Sequence, residues 1–234
     1  MPEDPVQELR ELTAALEDWL RFQRRLGWTG TPAARETQAA AQPQETGRAL
    51  TLKAIREELG DCKRCKLAHG RTHIVFGDGS PRAALMFIGE GPGAEEDLQG
   101  LPFVGAAGQL LNNLLSKLGL RREEVYIANV IKCRPPGNRN PEADETGQCL
   151  PFLLKQIEAI KPRVIVTLGR VATEALLGTQ APITRLRGQW QKYGKIKVMP
   201  TFHPSYLLRF PRERHKTWED MLQVMEYLAD HGEN

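Results

Sequence analysis

No apolar run in this chain of 234 residues approaches the roughly 20 residues that a membrane-spanning helix needs, so an integral helical membrane protein is excluded. The start, Met1-Pro2-Glu3-Asp4-Pro5, has neither the basic opening nor the apolar stretch of a signal peptide, and a cytoplasmic protein is the expectation. Cysteine is scarce, with four in all. In that compartment disulfides have little use, which makes metal binding the stronger explanation of any paired cysteines. Acidic residues are nearly missing from one stretch. Between Pro182 and Lys216 stand Arg185, Arg187, Lys192, Lys195, Lys197, Arg209, Arg212, Arg214 and Lys216 against Glu213 alone, although the net charge of the whole chain is only +3. Such a segment attracts a polyanion through counterion release, and a solvated surface face is the plainer alternative.

What is present is ordinary for a globular protein with one sizeable core and an appendage: 41% hydrophobic and 26% charged residues. Residues 1–28 carry Leu9, Leu12, Leu16, Trp19 and Leu26 at three-then-four spacing, with Gln23 at the one seam position that is not apolar, which predicts an amphipathic helix that docks on the body or on a protein partner. Residues 29–50 are rich in Ala, Gln, Thr and Pro without apolar period and read as a linker, expected to be disordered. Residues 51–234 form the third region, in which short β-rich runs alternate with helical ones. Strands are expected at Ala84–Ile88, Val125–Val130, Val164–Leu168 and Ile196–Met199, with helices near Gly108–Leu118, Glu142–Ile160, Arg170–Leu177 and Glu213–Ala229. Pro151 is expected to kink the second helix or to mark its true start. Strands apolar on both faces call for a parallel sheet covered on both sides, an α/β fold.

Cys62 and Cys65 form a C-x-x-C after a short helix ended by Gly60, and Cys133 and Cys149 lie far downstream. Four thiols suit tetrahedral zinc or an iron–sulfur cluster, and spacing alone does not separate the two. Lys63, Arg64, Lys66 and Arg134 flank them and would offset the charge of a four-thiolate site.

Two motifs at the ends of expected strands carry the chemistry: Gly89-Glu90-Gly91-Pro92-Gly93 and His203-Pro204-Ser205. Strand ends of this kind are where open α/β sheets build ligand sites. The first motif is neither a dinucleotide fingerprint nor a P-loop, and alone it would be a tight turn. It is followed, however, by Glu95-Glu96-Asp97 and by Phe103 on a Gly/Pro-framed loop, while Asn129 ends the next strand and His203 the last. An aromatic to stack on, an amide to read a ring edge and a histidine are the equipment of a nucleobase pocket.

Gly89–Gly93, Pro102-Phe103-Val104-Gly105, Asn129, the run His203-Pro204-Ser205-Tyr206-Leu207-Leu208-Arg209 and the four cysteines together resemble the family 4, iron–sulfur uracil-DNA glycosylases, over about Ala54 to Leu228. The resemblance implies a three-layer α/β/α sandwich around a four-stranded parallel sheet, with Cys62, Cys65, Cys133 and Cys149 holding a 4Fe-4S cluster. It implies hydrolysis of the N-glycosidic bond of deoxyuridine in single- or double-stranded DNA, with no membrane involved. Phe103 would stack on the flipped base and Asn129 would read its N3–H and O4. His203 would hydrogen-bond O2, assisted by the Gly91, Pro92 and Gly93 turn, and Glu96 would narrow the space beside C5. Leu207 or Leu208 would fill the gap in the duplex, with Ser205 and Arg209 nearby and Arg209 on a phosphate. Glu90 is either the water-activating base or a brace of its loop. Two other readings stand beside this one. A non-catalytic iron–sulfur DNA-binding module would bind without releasing a base. A covalent-capture relative is disfavoured, because Phe76–Pro81 is short, His69 and His73 lie upstream of it, and no Lys/Arg-rich insertion is present.

Overall fold

The structure, a computed structural model, describes residues 50–231 and, before them, Thr13. The expected N-terminal helix and linker lie outside the described residues. In chain order the elements are α1 (Leu52–Leu59), β1 (Asp78–Gly79), β2 (Leu85–Gly89), α2 (Ala94–Gln99), α3 (Ala106–Lys117), β3 (Tyr126–Asn129), α4 (Ala143–Ile160) and β4 (Val164–Leu168). They continue with α5 (Arg170–Leu177), α6 (Ile183–Leu186), β5 (Gln191–Tyr193), β6 (Ile196–Thr201), α7 (Pro204–Arg209) and α8 (Arg214–Asp230).

The sheet order is β1-β3-β2-β4-β6-β5. The expectation of a four-stranded sheet needs correction. Strands β3, β2, β4 and β6 pair in parallel, and the short β1 and β5 add antiparallel edges to β3 and β6. The edges consist of two and three residues, too few for an alternation of side chains to be read from sequence.

Every residue of β2, β3 and β4 is buried, and successive side chains go to opposite faces. Met86, Ile88, Tyr126, Ala128, Ile165 and Val198 join Leu150, Leu153 and Ile157 of α4 and Ala172 and Leu176 of α5 in one core. Leu85, Phe87, Ile127, Val164, Val166 and Met199 join Leu111 and Leu115 of α3 and Met221 and Val224 of α8 in the other. Helices thus cover both faces. At about 25 cal/mol for each Å² of apolar surface removed from water, these two cores supply the main stabilising term.

Helix α4 opens with the Glu145 carboxylate accepting from the Glu142 amide at 2.8 Å and closes on Lys161 in the left-handed conformation. It runs through Pro151, so that residue does not mark the helix start.

Candidate active site

The parallel strands deliver their C-terminal ends to one side, where β2 leads into Gly89–Gly93, β3 ends on Asn129, β4 ends before Gly169 and β6 leads to His203. These ends surround a cavity of about 660 Å³, lined among others by Glu90, Gly91, Pro92, Gly93, Phe103, Asn129, His203, Ser205, Leu208 and Arg209. That volume lies in the range of small-molecule pockets, roughly 300–1,000 Å³.

Asn129 is 1% exposed and pairs in register with Gly89 on the neighbouring strand. Its Oδ1 is buried without a hydrogen-bond partner among the described residues. An orphaned buried acceptor costs about 1–3 kcal/mol, a penalty that a donor entering the cavity would remove. Gly89 makes this geometry possible. A Cβ on Gly89 would lie 2.5 Å from Asn129 Oδ1 and 2.5 Å from Phe103 Cζ, so the amide and the ring meet over a residue that has no side chain. Neither Gly91 nor Gly93 takes a positive φ, so the turn expected there is made by space rather than by left-handed backbone.

Phe103 is 5% exposed and takes a φ of 52°, a conformation uncommon for an aromatic residue. Arg122 holds it there, donating from Nη1 to the Phe103 carbonyl at 3.1 Å and from Nη2 to the Pro102 carbonyl. The Phe103 and His203 ring centroids are 5.7 Å apart with the planes tilted by 37°.

His203 caps the N-terminus of α7: its Nδ1 accepts from the Ser205 amide at 3.2 Å and stands 2.7 Å from the Ser205 hydroxyl. Burial against the cavity wall pushes its pKa down to about 4, Glu96 opposing and Arg209 adding to the shift. The ring is therefore neutral at pH 7, and with Nδ1 accepting, its proton belongs on Nε2.

Glu96 also lines the cavity. Its Oε1 accepts from the amides of Val104 and Gly105, both at 2.9 Å, and its Oε2 from that of Gly93 at 3.1 Å, so the carboxylate braces the two loops of the pocket. Asp97 ties the same helix to the segment that follows the first two cysteines, with Oδ1 accepting from the Thr72 amide at 2.9 Å. The Glu90 carboxylate lines the cavity without a hydrogen bond to a described residue. Desolvation raises its pKa, and the Arg170 guanidinium opposes that shift.

Of the two leucines considered for the duplex gap, Leu207 is 4% exposed and packs inward, whereas Leu208 is 39% exposed at the cavity rim. The basic stretch is not one solvent face either. Arg187 forms an ion pair with the fully buried Asp220 and Lys197 lies over the Trp190 and Tyr227 rings, while Arg209 remains exposed beside the cavity.

The four cysteines line one small cavity between α1, the segment after β3 and α4, and all are free of disulfides. Arg64 Nη1 lies 3.2 Å from Cys62 Sγ, Arg71 Nη1 lies 3.5 Å from Cys133 Sγ, and the Lys132 amide donates to Cys149 Sγ at 3.2 Å. Burial raises the Cys133 pKa and pushes that of Cys149 up to about 11. Donors on three of the four sulfurs suit thiolates more than thiols, which fits a soft metal centre. Among the described residues, no three His, Cys, Asp or Glu side chains form a metal-binding group.

Sequence reasoning passed over Arg122, Arg170 and Lys132. Only Lys132 left a trace, as a charged residue inside the apolar run Val130-Ile131-Lys132-Cys133.

At the ends of its parallel strands the sheet gathers an unsatisfied amide, a strained aromatic and a neutral histidine around one cavity, the setting of a ligand site in an α/β fold. Residues 76–229 match the model of the uracil DNA glycosylase superfamily, and the chain belongs to that superfamily. It is 50% identical to the type-4 uracil-DNA glycosylase of Thermotoga maritima over 187 residues, which cover 77% of this chain and 96% of the relative. It is 46% identical to the type-4 enzyme of Sulfurisphaera tokodaii over 185 residues, covering 75% and 84%. A type-5 uracil-DNA glycosylase of Pyrobaculum aerophilum is 32% identical over 146 residues, covering 55% and 64%.

Proposed function

We infer that this protein is a DNA-repair glycosylase that rotates deoxyuridine out of DNA and hydrolyses its N-glycosidic bond, releasing uracil and leaving an abasic site. The observation that carries the reading is the orphaned, buried Oδ1 of Asn129. Uracil N3–H satisfies it, and the amide nitrogen donates in turn to O4. Cytosine presents an acceptor at N3 and a donor at its exocyclic amine, so both partners would be left unpaired. Sites built on buried hydrogen bonds reject such analogues by roughly 10⁴-fold or more.

Phe103 stacks on the base. As the glycosidic bond lengthens, negative charge moves onto the uracil ring, and His203 donates from Nε2 to O2 where that charge develops. The neutral imidazole supported by its lowered pKa is suited to this role. Glu90, with its free carboxylate and raised pKa, is the candidate for activating water at the sugar carbon. The exposed Leu208 fills the space left by the flipped nucleotide, repaying part of an unstacking cost of a few kcal/mol, and Arg209 and Ser205 meet the adjoining backbone.

Cys62, Cys65, Cys133 and Cys149 are proposed to hold a 4Fe-4S cluster. When bound, the cluster supplies a covalent tie between segments distant in sequence. The experiment that tests the reading is base release from an oligonucleotide with one deoxyuridine, single-stranded and opposite guanine. Formation of an abasic site supports it, and binding without release would leave the protein a DNA-binding module.

A further inference from the structure

Lys132 is 1% exposed, the one lysine among the described residues that is buried, and no described carboxylate forms an ion pair with it. Its Nζ donates to the backbone carbonyl of Asn129 at 2.8 Å and to Gln156 Oε1 at 2.7 Å. Its backbone amide donates to Cys149 Sγ at 3.2 Å, its neighbour in sequence is Cys133, and it lines the cavity of the four thiols. One residue thus touches the thiol site with its main chain and the end of β3 with its side chain.

A buried ammonium needs a counter-charge, and the two neutral oxygens that hold this one do not supply it. A cluster bound by four thiolates carries net negative charge, and Lys132 lines the cavity of those thiols.

We propose that Lys132 is a positioning residue for base recognition: its ammonium, balanced by the cluster thiolates, clamps the Asn129 carbonyl and so fixes the amide that reads uracil. The inference rests on the assignment of Asn129 to the uracil edge and of the four cysteines to the cluster. It makes cluster retention and base excision depend on one side chain, although no atom of the cluster takes part in the reaction.

The test uses the full chain purified with its iron, comparing wild type with Lys132→Met, Gln156→Met and Asn129→Ala. Three quantities are read: the rate at which a chelator bleaches the visible absorption, single-turnover excision with its KM, and the melting temperature. Lys132→Met is expected to bleach faster and to excise more slowly, each by roughly 10-fold or more, with KM for DNA nearly unchanged. Gln156→Met, which loses the contacts to Phe76 and Tyr126 and one of the two acceptors of Nζ but keeps the contact to the Asn129 carbonyl, is expected to melt earlier while slowing excision less than Lys132→Met does. Excision by Lys132→Met at the wild-type rate would overturn the proposal, as would losses in both variants that simply follow melting temperature. If Lys132→Met does not fold, Lys132→Arg decides. Wild-type iron retention with slowed excision supports the clamp, and any other combination overturns it. Asn129→Ala separates the two levels, because its excising normally would remove the assignment of the amide itself.

Discussion

The Ser205 amide donates to Nδ1 of His203 at 3.2 Å, and this bond fixes both the tautomer and the aim of the imidazole. With Nδ1 occupied and a pKa pushed down to about 4 by burial, His203 enters the reaction neutral. Excision should therefore show no rise on acidification from pH 8 to pH 5, as a cationic donor would require. His203→Ala should lose roughly 10²–10³-fold in rate while still binding DNA. A stability effect accompanies this. Between about pH 6.5 and pH 4 the unfolded chain takes up a proton on this residue that the folded chain refuses, so stability falls as pH falls through that window. His203→Ala should flatten that slope in urea titrations.

The pKa of Glu90 is shifted the other way, upward. If its carboxylate accepts a proton from water it must be ionised, so activity falls as pH drops through its raised pKa, above the usual carboxylate range. A pH–rate profile should show that acid limb, and Glu90→Gln should lose both the limb and roughly 10²–10⁴-fold in rate. A variant that keeps the limb would assign it to another group.

Gly89→Ala places a methyl group 2.5 Å from both Asn129 Oδ1 and Phe103 Cζ. Overpacking of this kind costs about 1–3 kcal/mol. The base site should suffer most, with excision down by roughly 100-fold and binding to undamaged DNA little changed, since a displacement of about 1 Å has costs of that order. Parallel filter-binding and excision assays check this.

Arg122→Ala removes the donors that hold the Pro102 and Phe103 carbonyls. The strained φ of Phe103 then has less to sustain it, and kcat/KM is expected to fall by roughly 10-fold. Arg122→Lys should recover only part of the loss, because one ammonium does not reproduce a forked guanidinium.

The central strands and long helices were legible because burial on both faces and helical period extend over five or more residues. Val164–Leu168 and Arg170–Leu177 have the boundaries expected of them, and the neighbouring elements differ by a few residues at their ends. The edges β1 and β5 were not legible, since register on a neighbouring strand defines them. The site divides in the same way. Asn129 and His203 end apolar runs and announce themselves, whereas Arg122 acts on Phe103 from 19 residues away and carries no local signal. The place of Glu96 beside C5 is what the family resemblance implies, with no local signal behind it. Its carboxylate serves three backbone amides, a role set by loops that meet only in three dimensions.

The most direct measurement is single-turnover release of uracil from a duplex with one U·G pair by wild type and Asn129→Ala, with the affinity of each for the same duplex. Wild type should release the base, and the variant should be slower by roughly 10³-fold or more while binding within a few-fold. Release by Asn129→Ala at the wild-type rate would contradict the assignment of its unpaired oxygen to uracil N3–H.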